Sequence, residues 1–192
     1  MPLALLALVF GLAACGGGES DEDKVVDVIE TSVTSTDPAD CKELATQSFL
    51  EQTEFEQGAD AVESCEESAE DTENDPESVD VSKVEVDGSA ATADVAFTGG
   101  SFDGQTLSVA LVEEDGDWKM DEITGFAEFD QEKLADSFEE GLQSGDDALD
   151  PQLATCFAEV VREAPKAQAE EIVIGGSPEP LVEILEGCQE GL

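Results

Sequence analysis

The apolar residues of this chain change their spacing twice, and that change limits the folds open to it. Val25, Val26, Ile29 and Val33 recur at helical spacing, as do Cys41, Leu44, Ala45 and Phe49 after Asp37-Pro38, and then Ala61, Val62 and Cys65. The period then drops to two. Val79, Val81, Val84 and Val86 read as one strand with a phase slip at Ser82-Lys83 that predicts a bulge. Asp87-Gly88 signals a hairpin into Ala91, Ala93, Val95 and Phe97. A glycine-rich connection from Thr98 to Gly104 leads to Leu107, Val109 and Leu111, and Asp115-Gly116 turns the chain into Trp118 and Met120.

Helical spacing returns at Asp130, with Leu134, Phe138 and Leu142 on one face. Ser144-Gly145-Asp146-Asp147 breaks that helix, and Asp150-Pro151 starts another bearing Leu153, Cys156, Phe157 and Val160. Ala169, Ile172 and Val173 form a short helix ending at Gly175-Gly176, and Ser177-Pro178 opens the last, with Leu181, Ile184, Leu185 and Cys188. Helices, then an antiparallel meander, then helices again make the fold class α+β. A folded domain over 24–128 and a small all-helical region over 129–192 are expected.

The first residues read as an address. Residues 3–14 are apolar and end at Cys15, followed by three glycines. A membrane span needs about 20 such residues, so the run reads as the core of a signal peptide covering 1–14. Leu12-Ala13-Ala14-Cys15 looks like a bacterial lipobox, in which Cys15 carries the lipid and residues 15–23 form a flexible tether. Two or three acyl chains anchor stably where one does not. The partner this implies is the membrane, and the place is the outer face of the cytoplasmic membrane. No basic residue precedes the apolar run, since the first Lys is Lys24, so the reading frame is expected to begin further upstream with Arg or Lys.

Outside the membrane the remaining four cysteines meet an oxidising compartment. They allow three connectivities. Cys41–Cys65 and Cys156–Cys188 are preferred, because each pair sits on the apolar faces of neighbouring helices within one subdomain. A metal site is disfavoured by the wide spacing and the absence of His.

Charge excludes further classes. With 49 Asp plus Glu against 7 Lys plus Arg the net charge is -42, and no cationic surface exists for nucleic acid. The excess reads as adaptation to a saline medium that supplies counterions. There is no His and no Tyr, so Ser-His-Asp and Cys-His catalysis are excluded. No acidic stretch has the spacing of an EF-hand loop. Neither a catalytic residue nor a cofactor is assigned.

The helices, the four strands and the turn Glu114-Asp115-Gly116-Asp117-Trp118-Lys119-Met120 together resemble the NTF2-like superfamily over residues 22–128. More narrowly the chain is similar to small secreted actinobacterial lipoproteins of that superfamily, which often carry one Cys pair in the helical half and another in a helical tail. The resemblance implies a cone, in which N-terminal helices pack on a curved antiparallel sheet and enclose an apolar pocket. Trp118, Phe97 and Val109 are the candidate pocket residues, although a lone Trp starting a strand after a tight turn is more often core. Small Ala91 and Ala93 favour an open cavity. The function expected is non-catalytic binding of a small apolar ligand or of an envelope protein partner. One alternative is a structural or accessory envelope lipoprotein with a filled core. A more remote one is a carboxylate-dependent enzyme, isomerase-like or lyase-like, which would require a buried acid in an apolar cavity. The superfamily's ketosteroid isomerase chemistry uses a Tyr this chain lacks.

Overall fold

The computed structural model describes residues 19–70, 72, 75–143, 148–175, 177 and 179–191. Cys15, the lipobox residues Leu12, Ala13 and Ala14, and the break at 144–147 lie outside them. The described residues form eight helices and one four-stranded sheet, an α+β arrangement.

Helix α1 (Asp21–Thr34) begins earlier than the expected tether to residue 23 allows. Ser20 accepts from the Asp23 N–H while the Asp23 side chain accepts from the Ser20 N–H, a capping box that nucleates the helix, and acids at 21–23 suit its positive end. Val25 and Ile29 are its fully buried residues. The single helix expected after Asp37-Pro38 is two: α2 (Asp40–Glu43) and α3 (Gln47–Glu54). The break has a tertiary cause. Thr46 N–H donates to Met120 O and Met120 N–H donates to Leu44 O, each at 2.8 Å, so Leu44–Thr46 is held as a short bridge against a strand. Thr46 then caps α3 by accepting from the Phe49 N–H. Helix α4 (Ala59–Ser68) completes the N-terminal group.

The sheet is an antiparallel meander in the order β1 (Ser78–Asp87), β2 (Ala90–Thr98), β3 (Thr106–Glu114), β4 (Asp117–Glu128). The bulge falls where the alternation slips, between Ser82 and Glu85, with Lys83 at φ 51°. Its ammonium donates to Asp94 Oδ2 at 2.7 Å, and together with a bond from Ser108 this holds the Asp94 carboxyl below its ordinary pKa. Three further register shifts separate β3 and β4. Bulges bend and twist strands, so the sheet presents a curved apolar face to the helices. In the connection before β3, Gly99 takes φ 76°, and a side chain there would meet the Glu77 backbone nitrogen at 3.1 Å.

The first core joins α1, α3, α4 and the sheet through Val25, Ile29, Leu50, Val95, Leu107, Val109, Leu111, Trp118 and Met120. The second joins α5 (Gln131–Leu142), α6 (Pro151–Glu163), α7 (Lys166–Ile174) and α8 (Glu179–Gly191). Asp130 and Asp150 cap α5 and α6 as their positions before the helices suggested. On α6 the sequence put Val160 on the apolar face, but Val160 is 37% exposed and its neighbour Val161 is buried, in line with Leu153, Ala154, Phe157 and Ala158. Phe102 and Phe126 pack against both cores, so the two halves share a boundary.

Both disulfides form, Cys41–Cys65 with Cα atoms 6.1 Å apart and Cys156–Cys188 with Cα atoms 5.8 Å apart. They tie α2 to α4 and α6 to α8. By loop-closure arithmetic each contributes about 3–4 kcal/mol, and both are consistent with an extracytoplasmic setting. Among the described residues, no helix is long and apolar enough to cross a membrane.

Candidate functional site

Between the curved sheet face and the N-terminal helices lies an apolar cavity of about 370 Å³. Its floor is the sheet, through Val95 and Phe97 of β2, Leu107 and Val109 of β3, and Met120 and Ile123 of β4. Ile29 and Val33 of α1, Phe49 and Leu50 of α3, and the Leu44-Ala45 bridge form the wall above. The Cys41–Cys65 disulfide closes one side. The strand period explains the floor, because every contributing residue from Val95 to Met120 lies on the inward face of its strand. The helix break explains the wall. A continuous helix from 40 to 54 would not leave Leu44-Ala45 bonded to β4.

Phe97 and Val109, singled out from sequence, line this cavity. Trp118 does not. It is buried in the first core, and what it borders instead is a polar cleft with Lys24, Asp27 and Val28 of α1 and the 114–117 turn. Register gives the reason: Trp118 pairs with Glu113, two positions closer to the turn than Leu111 with Met120, and the cavity extends from Met120 the other way, towards Ile123. Ala91 and Ala93 are also absent from the wall. They are buried in the core that holds Val25 and Trp118, so their small size leaves no opening there.

Polar groups gather on the helical side of the cavity. Ser32, Ser35, Asp37, Asp40, Thr53, Glu54, Ser68 and Asp75 border it. Several are engaged locally: Ser35 Oγ donates to Asp40 Oδ2, Asp37 Oδ1 accepts from the Ala39 N–H at 3.0 Å, and Thr53 Oγ1 donates to Phe49 O at 3.1 Å. Glu54, at the end of α3, is the residue that sequence reasoning missed. Burial pushes its carboxyl above the ordinary pKa, and a hydrogen bond with Ser64 only partly opposes the shift. Nothing in the local sequence distinguishes it from the other acids, since its environment is made by α4 and the cavity.

No cation lies among the described residues that line the cavity. Elsewhere each of the seven Lys and Arg residues stands within 4.0 Å of a carboxylate, from Lys24 with Asp21 to Lys166 with Glu170. The surface is therefore anionic with its few cations already matched. Among the described residues, no three His, Cys, Asp or Glu side chains converge as metal ligands would. In comparisons with known proteins, no family model, curated protein or solved structure matches the chain.

Proposed function

We propose that this chain is a non-catalytic extracytoplasmic lipoprotein of NTF2-like type, anchored through Cys15 at the outer face of the cytoplasmic membrane, whose cavity receives a small apolar ligand. The observation that carries the reading is the apolar cavity of about 370 Å³ between four helices and a curved sheet. Sites for small molecules are concave, mostly apolar and marked by a few placed polar groups, and this cavity has that make-up. The helices-then-meander order and the bulged sheet support the NTF2-like cone. The disulfides and the Leu12-Ala13-Ala14-Cys15 sequence support the location.

The enzyme alternative gains one observation, a carboxyl of raised pKa beside an apolar cavity, which is a pattern of general bases. Other polar groups of the cavity, among them Asp40 and Thr53, are engaged in local hydrogen bonds. The chain has no His or Tyr to complete an acid–base pair with Glu54. The binding reading is therefore preferred.

Native mass spectrometry of the protein purified from its own membrane tests the proposal. Expected are acyl chains on Cys15, a mass deficit of four hydrogens for two disulfides, and a retained small ligand. An unacylated product beginning elsewhere would overturn the anchoring. A protein that retains nothing, and takes up no apolar probe, would overturn the binding.

A further inference from the structure

The cavity also indicates which head group its ligand carries, an inference that rests on the binding reading above. Its floor and inner wall are hydrocarbon and aromatic, from Val95, Val109 and Met120 to Phe49. Its polar side is acidic, with Asp37, Asp40, Glu54 and Asp75 and no Lys or Arg among the described lining residues. We propose that the occupant is a cationic amphiphile, whose apolar body fills the cavity and whose amine or ammonium group sits against Glu54.

Three head groups are open to a small amphiphile, and the wall treats them differently. An anionic head, as in a fatty acid, would face the half-buried Glu54 and Asp40 carboxylates, with the exposed Asp37 and Asp75 on the same side, and like charges repel where water screens them only in part. A neutral head would leave Glu54 without a countercharge while the ligand removed more of its water, raising a cost that burial already imposes. A cation supplies what the site lacks. It forms a charge-assisted hydrogen bond with the Glu54 carboxylate and so offsets the carboxylate's own desolvation. The chain's net charge of -42 adds long-range attraction for any cation. That field alone does not select Glu54, so the test must separate the two.

Calorimetric titrations of the mature protein with octylamine, octan-1-ol and octanoate in 0.15 M salt make the comparison at constant chain length. The wild type is expected to bind octylamine about tenfold more tightly than octan-1-ol, the size of one charge-assisted bond, and octanoate most weakly. Glu54→Gln should remove the preference for the amine by weakening octylamine and strengthening octan-1-ol, and an unchanged circular dichroism spectrum shows that the variant is folded. Asp87→Asn, which removes one exposed charge at the β1–β2 hairpin, should keep the preference. Equal affinities for amine and alcohol in the wild type would overturn the head-group proposal and leave the cavity reading intact. An equal loss in Glu54→Gln and Asp87→Asn would overturn it too, in favour of the general field. Failure of all three probes to bind would overturn the apolar-ligand reading and this inference with it.

Discussion

The Gln52 side chain makes a two-point hydrogen bond with the backbone of Ile123, accepting from its N–H at 2.7 Å and donating to its carbonyl at 2.9 Å. It reaches across 71 positions of sequence to a part of β4 where the β3–β4 register shifts. The same amide donates to Ile174 O at 2.8 Å, at the end of α7, so one residue joins both halves of the molecule. Gln105, 1% exposed, repeats the pattern: it accepts from the Asp130 N–H and donates to Asp130 O, both at 2.9 Å. Gln131 Nε2 donates to Val161 O and Ala164 O at the end of α6. In a chain so rich in acids, these long-range polar joins are made by neutral amides. The chemistry requires it, because each site needs a donor and a carboxylate has none.

Gln52→Glu and Gln105→Glu are therefore expected to destabilise strongly, although each alters only one group. Each would set a charge against a carbonyl, half-buried at Gln52 and fully buried at Gln105, and lose the donor, at a cost of about 2–3 kcal/mol. Urea unfolding measures this, with exposed Gln143→Glu as a reference expected to change little.

Glu54 gives a pH-dependent prediction of defined sign. Burial raises its pKa in the folded chain, so the folded state holds the proton to higher pH than the unfolded state does. Its contribution to stability is complete below the ordinary glutamate pKa of about 4.3 and is lost as pH rises through the raised folded value. Glu54→Gln, which stays neutral and keeps an acceptor for Ser64, should melt at a higher temperature than the wild type near pH 7. The gap should close as the pH is lowered to about 4. A gap that widens on acidification would contradict the burial of this carboxyl.

Val109→Phe tests whether the cavity has room. Adding bulk to a filled core costs about 1–3 kcal/mol. Val109 faces the cavity, so the Phe variant should lie within about 1 kcal/mol of the wild type and lose affinity for octan-1-ol. Ala93 pairs with Val109 and is buried without lining the cavity, so Ala93→Leu should show the full overpacking cost.

Much of this architecture can be read in the sequence, because strands, hairpins and caps are local signals. Asp87-Gly88, Asp115-Gly116, Asp130 and Asp150-Pro151 mark turns and helix starts where they occur, and the Ser82-Lys83 slip marks the bulge. The earlier start of α1 was also legible, in the Ser20 and Asp23 pair. The split between α2 and α3 was not, because its cause is the backbone of Met120, far along the chain. Val160 and Val161 are adjacent and equally apolar, so only packing against α5 and α8 decides which is inward. Trp118 is in the core, as a lone Trp after a tight turn suggested, while the two alanines were misplaced relative to the pocket because strand alternation gives the face but not the position along it. Glu54 was invisible for the same physical reason that it matters: its shift arises from burial by residues distant in sequence.

Salt should stabilise the folded chain. All seven cations are already matched with acids, so the remaining carboxylates repel one another through solvent. Below about 10 mM salt the screening length reaches about 30 Å and the repulsion spans the molecule. The melting temperature is expected to fall on dilution of salt into that range. An unchanged melting temperature would refute the adaptation to saline medium.

The central claim is that the space between the sheet and α1–α4 is a binding site. Methyl-resolved NMR during an octan-1-ol titration tests it most directly, since the cavity wall carries Val33, Leu44, Val95, Leu107, Val109, Met120 and Ile123. The account predicts saturable shifts confined to these methyl groups and to Ile29, Ala45 and Leu50 of the same wall, with Val160 and Val182, both exposed, unmoved. Shifts that fail to saturate, or that appear first at Val160 and Val182, would contradict it.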